Sequence, residues 1–159
     1  MEEAMIIKWL GHSCFLLTTQ AGLRIVTDPF DAKVGYPLPT VEADIVTVSH
    51  QHGDHNHVQA LKGRFQVIDQ AGEHSVQGVQ IRGIPTFHDD VQGAKRGPNI
   101  CFRISADGMT VLHCGDLGHT LSEEQLQAIG PVDILLLPVG GYFTIDASAA
   151  RAVIEQLHP

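Results

Sequence analysis

Four histidines and one aspartate fall within eight residues, His50-Gln51-His52-Gly53-Asp54-His55-Asn56-His57, one residue past the run 45–48, Ile-Val-Thr-Val. A short unbroken run of this kind reads as a strand buried on both faces, and open sheets place their ligand sites at the carboxyl ends of such strands. The fold must therefore deliver a buried strand into a loop rich in imidazole. His50 and His52 are two apart, so in an extended backbone their rings share a side. That arrangement suits one metal ion, which takes neutral imidazole nitrogens at about 2.0–2.1 Å. Asp54 and His55 fall where the chain turns and can face a second ion beside the first, with Gly53 giving the backbone freedom. A lone H-x-H is often a polar loop, whereas H-x-H-x-D-H after a buried strand is far more specific. His57 fits no ligand place in this pattern and reads as a surface residue.

Composition narrows the rest. A chain of 159 residues, 43% hydrophobic, supports a single domain over 1–159 with a real core; at this size roughly 70% of the unfolded surface is buried. It is too short for a (β/α)₈ barrel. Ten Lys+Arg against 18 Asp+Glu leave a net charge of −8, which argues against a nucleic-acid partner, since that needs a basic face. Cys14, Cys101 and Cys114 form no C-x-x-C pair and read as free thiols in a reducing compartment. The start, Met1-Glu2-Glu3-Ala4-Met5, is acidic with no apolar run behind a basic segment. No secretory signal and no membrane span are expected. The expectation is a soluble cytoplasmic protein.

Along the chain, strands are expected at 5–10, 14–19 and 23–27 as an antiparallel meander punctuated by glycine. Further strands are expected at 45–48, 66–68, 79–84, 100–104, 110–113 and 133–139, with a short helix over 58–62. Residues 31–43 read as a loop. Asp107-Gly108 signals a hairpin. Ser122-Glu123-Glu124-Gln125 matches a capping box, with Leu121 and Leu126 as its hydrophobic staple, and Gly130-Pro131 ends that helix. A second helix is expected over 147–157 with Asp146 as N-cap; Ala147, Ala150, Ile154 and Leu157 share the face it would lay on a sheet. Together these make a layered α/β sandwich.

The motif resembles the metallo-β-lactamase superfamily of metal-dependent hydrolases. Gly11-His12-Ser13-Cys14-Phe15 and Thr27-Asp28-Pro29-Phe30 resemble the early strands of its branch of ascorbate-6-phosphate lactonase-like proteins. Gly115-Asp116-Leu117-Gly118-His119 and the stretch 139–147, Val-Gly-Gly-Tyr-Phe-Thr-Ile-Asp-Ala, resemble its later landmarks, in the family's order. The resemblance implies a four-layer αββα sandwich. It implies a first ion held by His50, His52 and His88, a second held by Asp54 and His55, and Asp116 bridging the two. Asp28 would brace the metal loop by hydrogen bonds. One or two Zn²⁺ ions are expected per chain, with Mn²⁺ or Fe²⁺ as alternatives. The family closes its second site with a histidine on a strand after the last helix. This sequence stops at His158-Pro159, so either the sequence is incomplete or the sandwich is C-terminally short and the second ion lacks that ligand.

The implied reaction is hydrolysis of a small molecule, with a metal-bound hydroxide attacking a carbonyl (lactone, ester or amide) or phosphoryl centre. Asp54 would orient the nucleophile. His12 would reach the substrate or a metal-bound water, or else serve as a turn residue bonded to backbone. His119 reads either as rim of the site or as an exposed loop residue; His113 reads as packing, and His74 and His158 as surface. Loops 31–43 and 89–98 would set specificity, with Gly93, Lys95, Arg96 and Gly97 placed to meet an anionic group. Two other readings stand beside this one: a nucleic-acid phosphodiesterase on the same scaffold, and a non-catalytic metal-binding module. A homo-oligomer is left open.

Overall fold

The computed structural model describes residues 4–159, so residues 1–3 of the acidic start lie outside the described part. The chain divides into two compact units, Met1–Asp69 and Gln70–Pro159.

The first unit carries a five-stranded sheet in sequence order: β1 (Ile6–Gly11), β2 (Cys14–Thr18), β3 (Arg24–Thr27), β4 (Ile45–Thr47) and β5 (Gln66–Ile68). β1, β2 and β3 form the expected antiparallel meander, and β3, β4 and β5 run parallel. All three residues of β4 are buried, as a strand with parallel neighbours on both sides requires. One core of this unit gathers Cys14, Val26, Phe30, Val46, Val48 and Leu61. The expected helix at 58–62 is a single 3-10 turn, Val58–Ala60, and a second such turn, Ala32–Val34, interrupts the 31–43 loop. His57 caps the first of these turns half-buried and donates its N–H to the Pro29 carbonyl, so it is less a surface residue than the sequence suggested.

The second unit carries β6 (Gly72–Val76), β7 (Val79–Phe87), β8 (Pro98–Ala106), β9 (Met109–His113) and β10 (Ile134–Leu136). Its sheet order is β10-β9-β8-β7-β6, antiparallel except for the parallel β9–β10 pair. β7 and β8 are longer than their apolar runs because their pairing continues to Phe87↔Pro98. That extension carries the chain to His88. Asp107-Gly108 turns the β8–β9 hairpin with both residues at positive φ, the backbone of a type I′ turn.

The helices α1 (Glu123–Ile129) and α2 (Ala147–Leu157) belong to this unit. The reciprocal Ser122–Gln125 capping box is present in α1. Arg82 reaches from β7 to the Ala128 carbonyl at 2.6 Å, satisfying an end of α1 that has no helical partner. In α2, Asp146 accepts from Ala149 N–H at 2.8 Å. The buried face of α2 is Ala150 and Val153, flanked by Ala149 and Leu157, while Ala147 and Ile154 are exposed. The expected stripe is thus rotated toward Val153, because the sheet-side core of Leu112, Cys114, Ile129 and Ile145 meets the helix on that side.

All three thiols are buried and free. No helix among the described residues is long and apolar enough to cross a membrane.

Candidate metal centre

The parallel β3–β4 register, Thr27↔Thr47, brings the carboxyl ends of these strands together. Asp28 follows β3 with φ +39 and donates its N–H to the Thr47 carbonyl at 2.9 Å. Its carboxylate is fully buried. Oδ1 accepts the Ser49 backbone N–H at 2.8 Å; Oδ2 accepts the Ser49 hydroxyl at 2.5 Å and meets His55 Nδ1 at 2.8 Å. A buried carboxylate accepts, so His55 Nδ1 carries the proton. The Ser49 hydroxyl has given its one hydrogen to Asp28, so at 2.8 Å from His50 Nδ1 it accepts, and His50 Nδ1 is protonated too. In the neutral form both rings then present their lone pairs at Nε2.

Asp54 stands at the other side of the His55 ring, with Oδ2 3.4 Å from His55 Nε2 and 3.0 Å from His12 Nε2. Hydrogen bonding from His12 and then His55 holds the Asp54 carboxyl well below the usual carboxylate range, against the opposing pull of partial burial. His55 therefore lies between two carboxylates, one at each nitrogen; a protonated ring donates to both, whereas a neutral ring donates to Asp28 and leaves its Nε2 lone pair, beside Asp54, for a cation. The ligand atoms of His12, Asp54 and His55 lie within 4.8 Å of one another, as do those of Asp28, His50 and His55. The His52 ring stands 4.6 Å from that of His50 at 87°. The loop holds its turn because the His52 carbonyl accepts from the N–H groups of both His55 and Asn56. Gly53 is not left-handed: a Cβ there would stand 2.9 Å from Asp31 Oδ2, so its use is space rather than the freedom expected from sequence.

The second unit has its own cluster, where β7 and β9 end. His88 Nε2 and Asp116 Oδ2 are 3.0 Å apart, both largely buried. Burial works against the charged imidazole, yet the Asp116 hydrogen bond and charge, with help from the His88 and Phe143 backbone, raise the His88 pKa. Asn99 organises this end. Its Oδ1 accepts Asp116 N–H at 3.0 Å while Nδ2 donates to Thr86 Oγ1 and the Cys114 carbonyl. A Cβ on Gly118 would lie 2.2 Å from Asp89 N, so only glycine lets the 115–118 turn lie against residues 88–89. His119 gives Nδ1 to the Thr120 carbonyl and accepts Phe87 N–H at Nε2, which occupies both nitrogens with backbone. Sequence reading missed Ser49, Asn99 and Asp89. Only the position of Ser49, between the strand and His50, could have marked it.

The profile described as the Beta-lactamase superfamily domain matches residues 6–159. A UPF0173 metal-dependent hydrolase of Thermococcus kodakarensis is 30% identical over 183 aligned positions, 96% of this chain and 80% of the relative. One of Pelotomaculum thermopropionicum is 32% identical, covering 98% and 81%. Among solved structures, a proposed Zn-dependent hydrolase of the metallo-beta-lactamase superfamily from Thermotoga maritima superposes with a TM-score of 0.82 at 46% identity, over 97% of this chain and 71% of that one. A proposed metal-dependent hydrolase from Parabacteroides distasonis shares the fold at a TM-score of 0.79 and 19% identity, over 98% of this chain and 79% of that one. With the metallo-β-lactamase fold and its histidine-rich strand end in place, this chain belongs to the UPF0173 family of metal-dependent hydrolases within the metallo-β-lactamase superfamily.

Proposed function

We propose that this chain hydrolyses a small molecule at a centre of one or two metal ions. His50, His52 and His88 would hold the first ion and Asp54 and His55 the second, with Asp116 as the ligand common to both. The observation that carries this reading is the Ser49–Asp28 network, which protonates His50 and His55 at Nδ1 and turns both lone pairs to Nε2. The family resemblance supplies His52, His88 and Asp116. An imidazole-rich donor set favours Zn²⁺, with Mn²⁺ and Fe²⁺ as alternatives. Such a cation, when bound, lowers the pKa of water from 15.7 to about 7 and polarises a carbonyl or phosphoryl oxygen.

The chain's own residues do the remaining work. Asp54, held ionised, accepts a hydrogen bond from the attacking water and fixes its direction. His12 Nε2, 3.0 Å from Asp54 Oδ2, takes up or returns a proton there. Asp28 and Ser49 stop the His50 and His55 rings from rotating. The reacting centre is a lactone, ester or amide carbonyl, or a phosphoryl group. The stretches at 11–15 and 27–30 favour the lactonase-like branch. A net charge of −8 disfavours nucleic acid. Residues 1–159 act as one hydrolase domain, because the ligand set draws on both units. The three buried free thiols agree with a reducing, cytoplasmic setting.

The test is metal content and turnover together, measured on lactone, ester and phosphodiester panels. The double variant His52→Ala, Asp54→Ala is expected to lose metal and more than about 100-fold in kcat/KM, beyond the range seen for outer partners of a metal site. Undiminished turnover in that variant would overturn the reading.

A further inference from the structure

A cavity of about 640 Å³ opens in the second unit, lined by His88, Arg96, His119, Tyr142, Phe143 and Thr144 among others. Its size is that of a small-molecule site. One wall is the loop between β7 and β8, and Asp89 makes that loop rigid. Asp89 Oδ1 accepts the N–H groups of Val91 and Gly93 at 3.0 and 2.7 Å, and Oδ2 accepts those of Lys95 and Arg96 at 2.9 and 2.8 Å. Gly97 closes the turn by donating to the Gly93 carbonyl and accepting His88 N–H. The backbone of Arg96 is therefore fixed before any ligand arrives.

Its side chain is placed as well. The guanidinium carbon stands 5.3 Å from the Phe143 ring centre and 5.9 Å from that of Tyr142, and these two rings meet edge to face at 4.6 Å. Tyr142 is 76% exposed, so the aromatic pair forms an open wall rather than core. Two of the three carboxylates that line the cavity are engaged, Asp89 by four N–H groups and Asp146 as the cap of α2, while Asp90 is exposed and 3.9 Å from Lys95 Nζ. Among the described residues no carboxylate lies within 4.0 Å of the Arg96 guanidinium. A guanidinium stacked on aromatic faces keeps its fork of donors for a planar or tetrahedral anion.

Resting on the hydrolase reading, we propose that Arg96 and the Tyr142–Phe143 wall bind an anionic group of the substrate, a phosphoryl or a carboxylate. The enzyme then selects small anionic molecules although its own net charge is −8. His88 lines the same cavity, so a molecule anchored at Arg96 lies beside a proposed metal ligand.

The experiment is calorimetric titration of the metal-loaded protein with phenylphosphonate, benzoate and the neutral analogue benzamide. At least one anion is expected to bind tenfold or more tighter than benzamide. Arg96→Gln is expected to remove that advantage and leave benzamide unchanged; Arg96→Lys is expected to restore part of it. The Arg96 N–H that Asp89 holds survives both changes, and an unchanged melting temperature checks the fold. Preference for phenylphosphonate identifies a phosphoryl site, and preference for benzoate a carboxylate site.

Anion affinity equal in wild type and both Arg96 variants, as simple coordination to the metal would give, overturns the proposal. So does benzamide binding as tightly as the anions. The two readings fail separately. Turnover abolished by His52→Ala, Asp54→Ala beside anion binding indifferent to Arg96 removes this site and leaves the hydrolase. Arg96-dependent anion binding without turnover on any panel removes the hydrolase and leaves an anion site.

Discussion

Asp28 holds one negative charge in full burial and divides it between a serine and a histidine. An asparagine there keeps one acceptor but offers an N–H₂ to a ring nitrogen that is itself a donor. Asp28→Asn is therefore expected to release the His55 tautomer and weaken metal binding by about 10- to 100-fold, as changes behind a metal ligand do. Competition against a chromophoric chelator measures this, and unaltered affinity would remove Asp28 from the site. Asp44 is a plainer case. It accepts the Arg24 backbone N–H at 2.9 Å and the guanidinium Nε and Nη2 at 3.0 and 3.1 Å, tying the start of β3 to the residue before β4. The Arg24 side-chain hydrogen bonds, with the Arg24 backbone N–H and charge, lower the Asp44 pKa against the opposing effect of burial. A folded pKa below the unfolded value means the stabilisation is complete above about pH 4 and is lost as pH falls through the lower folded value. The pair is partly exposed to water, so the effect is under about 1 kcal/mol. The gap in melting temperature between wild type and Asp44→Asn should be constant from pH 7 to 5 and close below pH 4; a gap that widens in acid would contradict this.

At the scale of elements, capping decides whether short helices form. α1 has only seven residues, and its start depends on Ser122 accepting Gln125 N–H while the Gln125 side chain accepts Ser122 N–H. Ser122→Ala should cost about 1 kcal/mol, readable as a shifted urea midpoint with an unchanged slope. This motif was legible in the sequence because capping is local chemistry. So were the H-x-H-x-D-H loop and the Asp107-Gly108 hairpin. β6 was not. Gly72-Glu73-His74-Ser75-Val76 buries only Val76 and shows no apolar alternation, and its pairing with β7 comes from an edge position that composition does not announce. The same holds within the site. Asn99 is a polar residue at the start of a strand until the fold sets it between Thr86, Cys114 and Asp116. The close approach at Gly118 is tertiary too, and Gly118→Ala should destabilise the second unit by more than about 2 kcal/mol, since the contact is with backbone that cannot step aside.

For the whole molecule, the proposed ligand set makes a claim about cooperativity. A ligand that binds only the folded state stabilises it by RT ln(1 + [L]/Kd), about 2.7 kcal/mol at a free metal concentration 100 times Kd. In a chain of this size that raises the melting temperature by about 5–10 °C. The two units carry separate reporters. Trp9, the one tryptophan, lies in β1 of the first unit, and both α-helices of the described residues, α1 and α2, lie in the second. Tryptophan fluorescence therefore follows one unit and ellipticity at 222 nm the other. If His50, His52, Asp54 and His55 share ions with His88 and Asp116, added zinc should move both transitions upward together, and a chelator should lower both. In His88→Asn the shared rise should shrink in both signals. A zinc-dependent rise in the Trp9 transition with the 222 nm transition unmoved would assign the metal to the first unit alone and strike His88 and Asp116 from the ligand set.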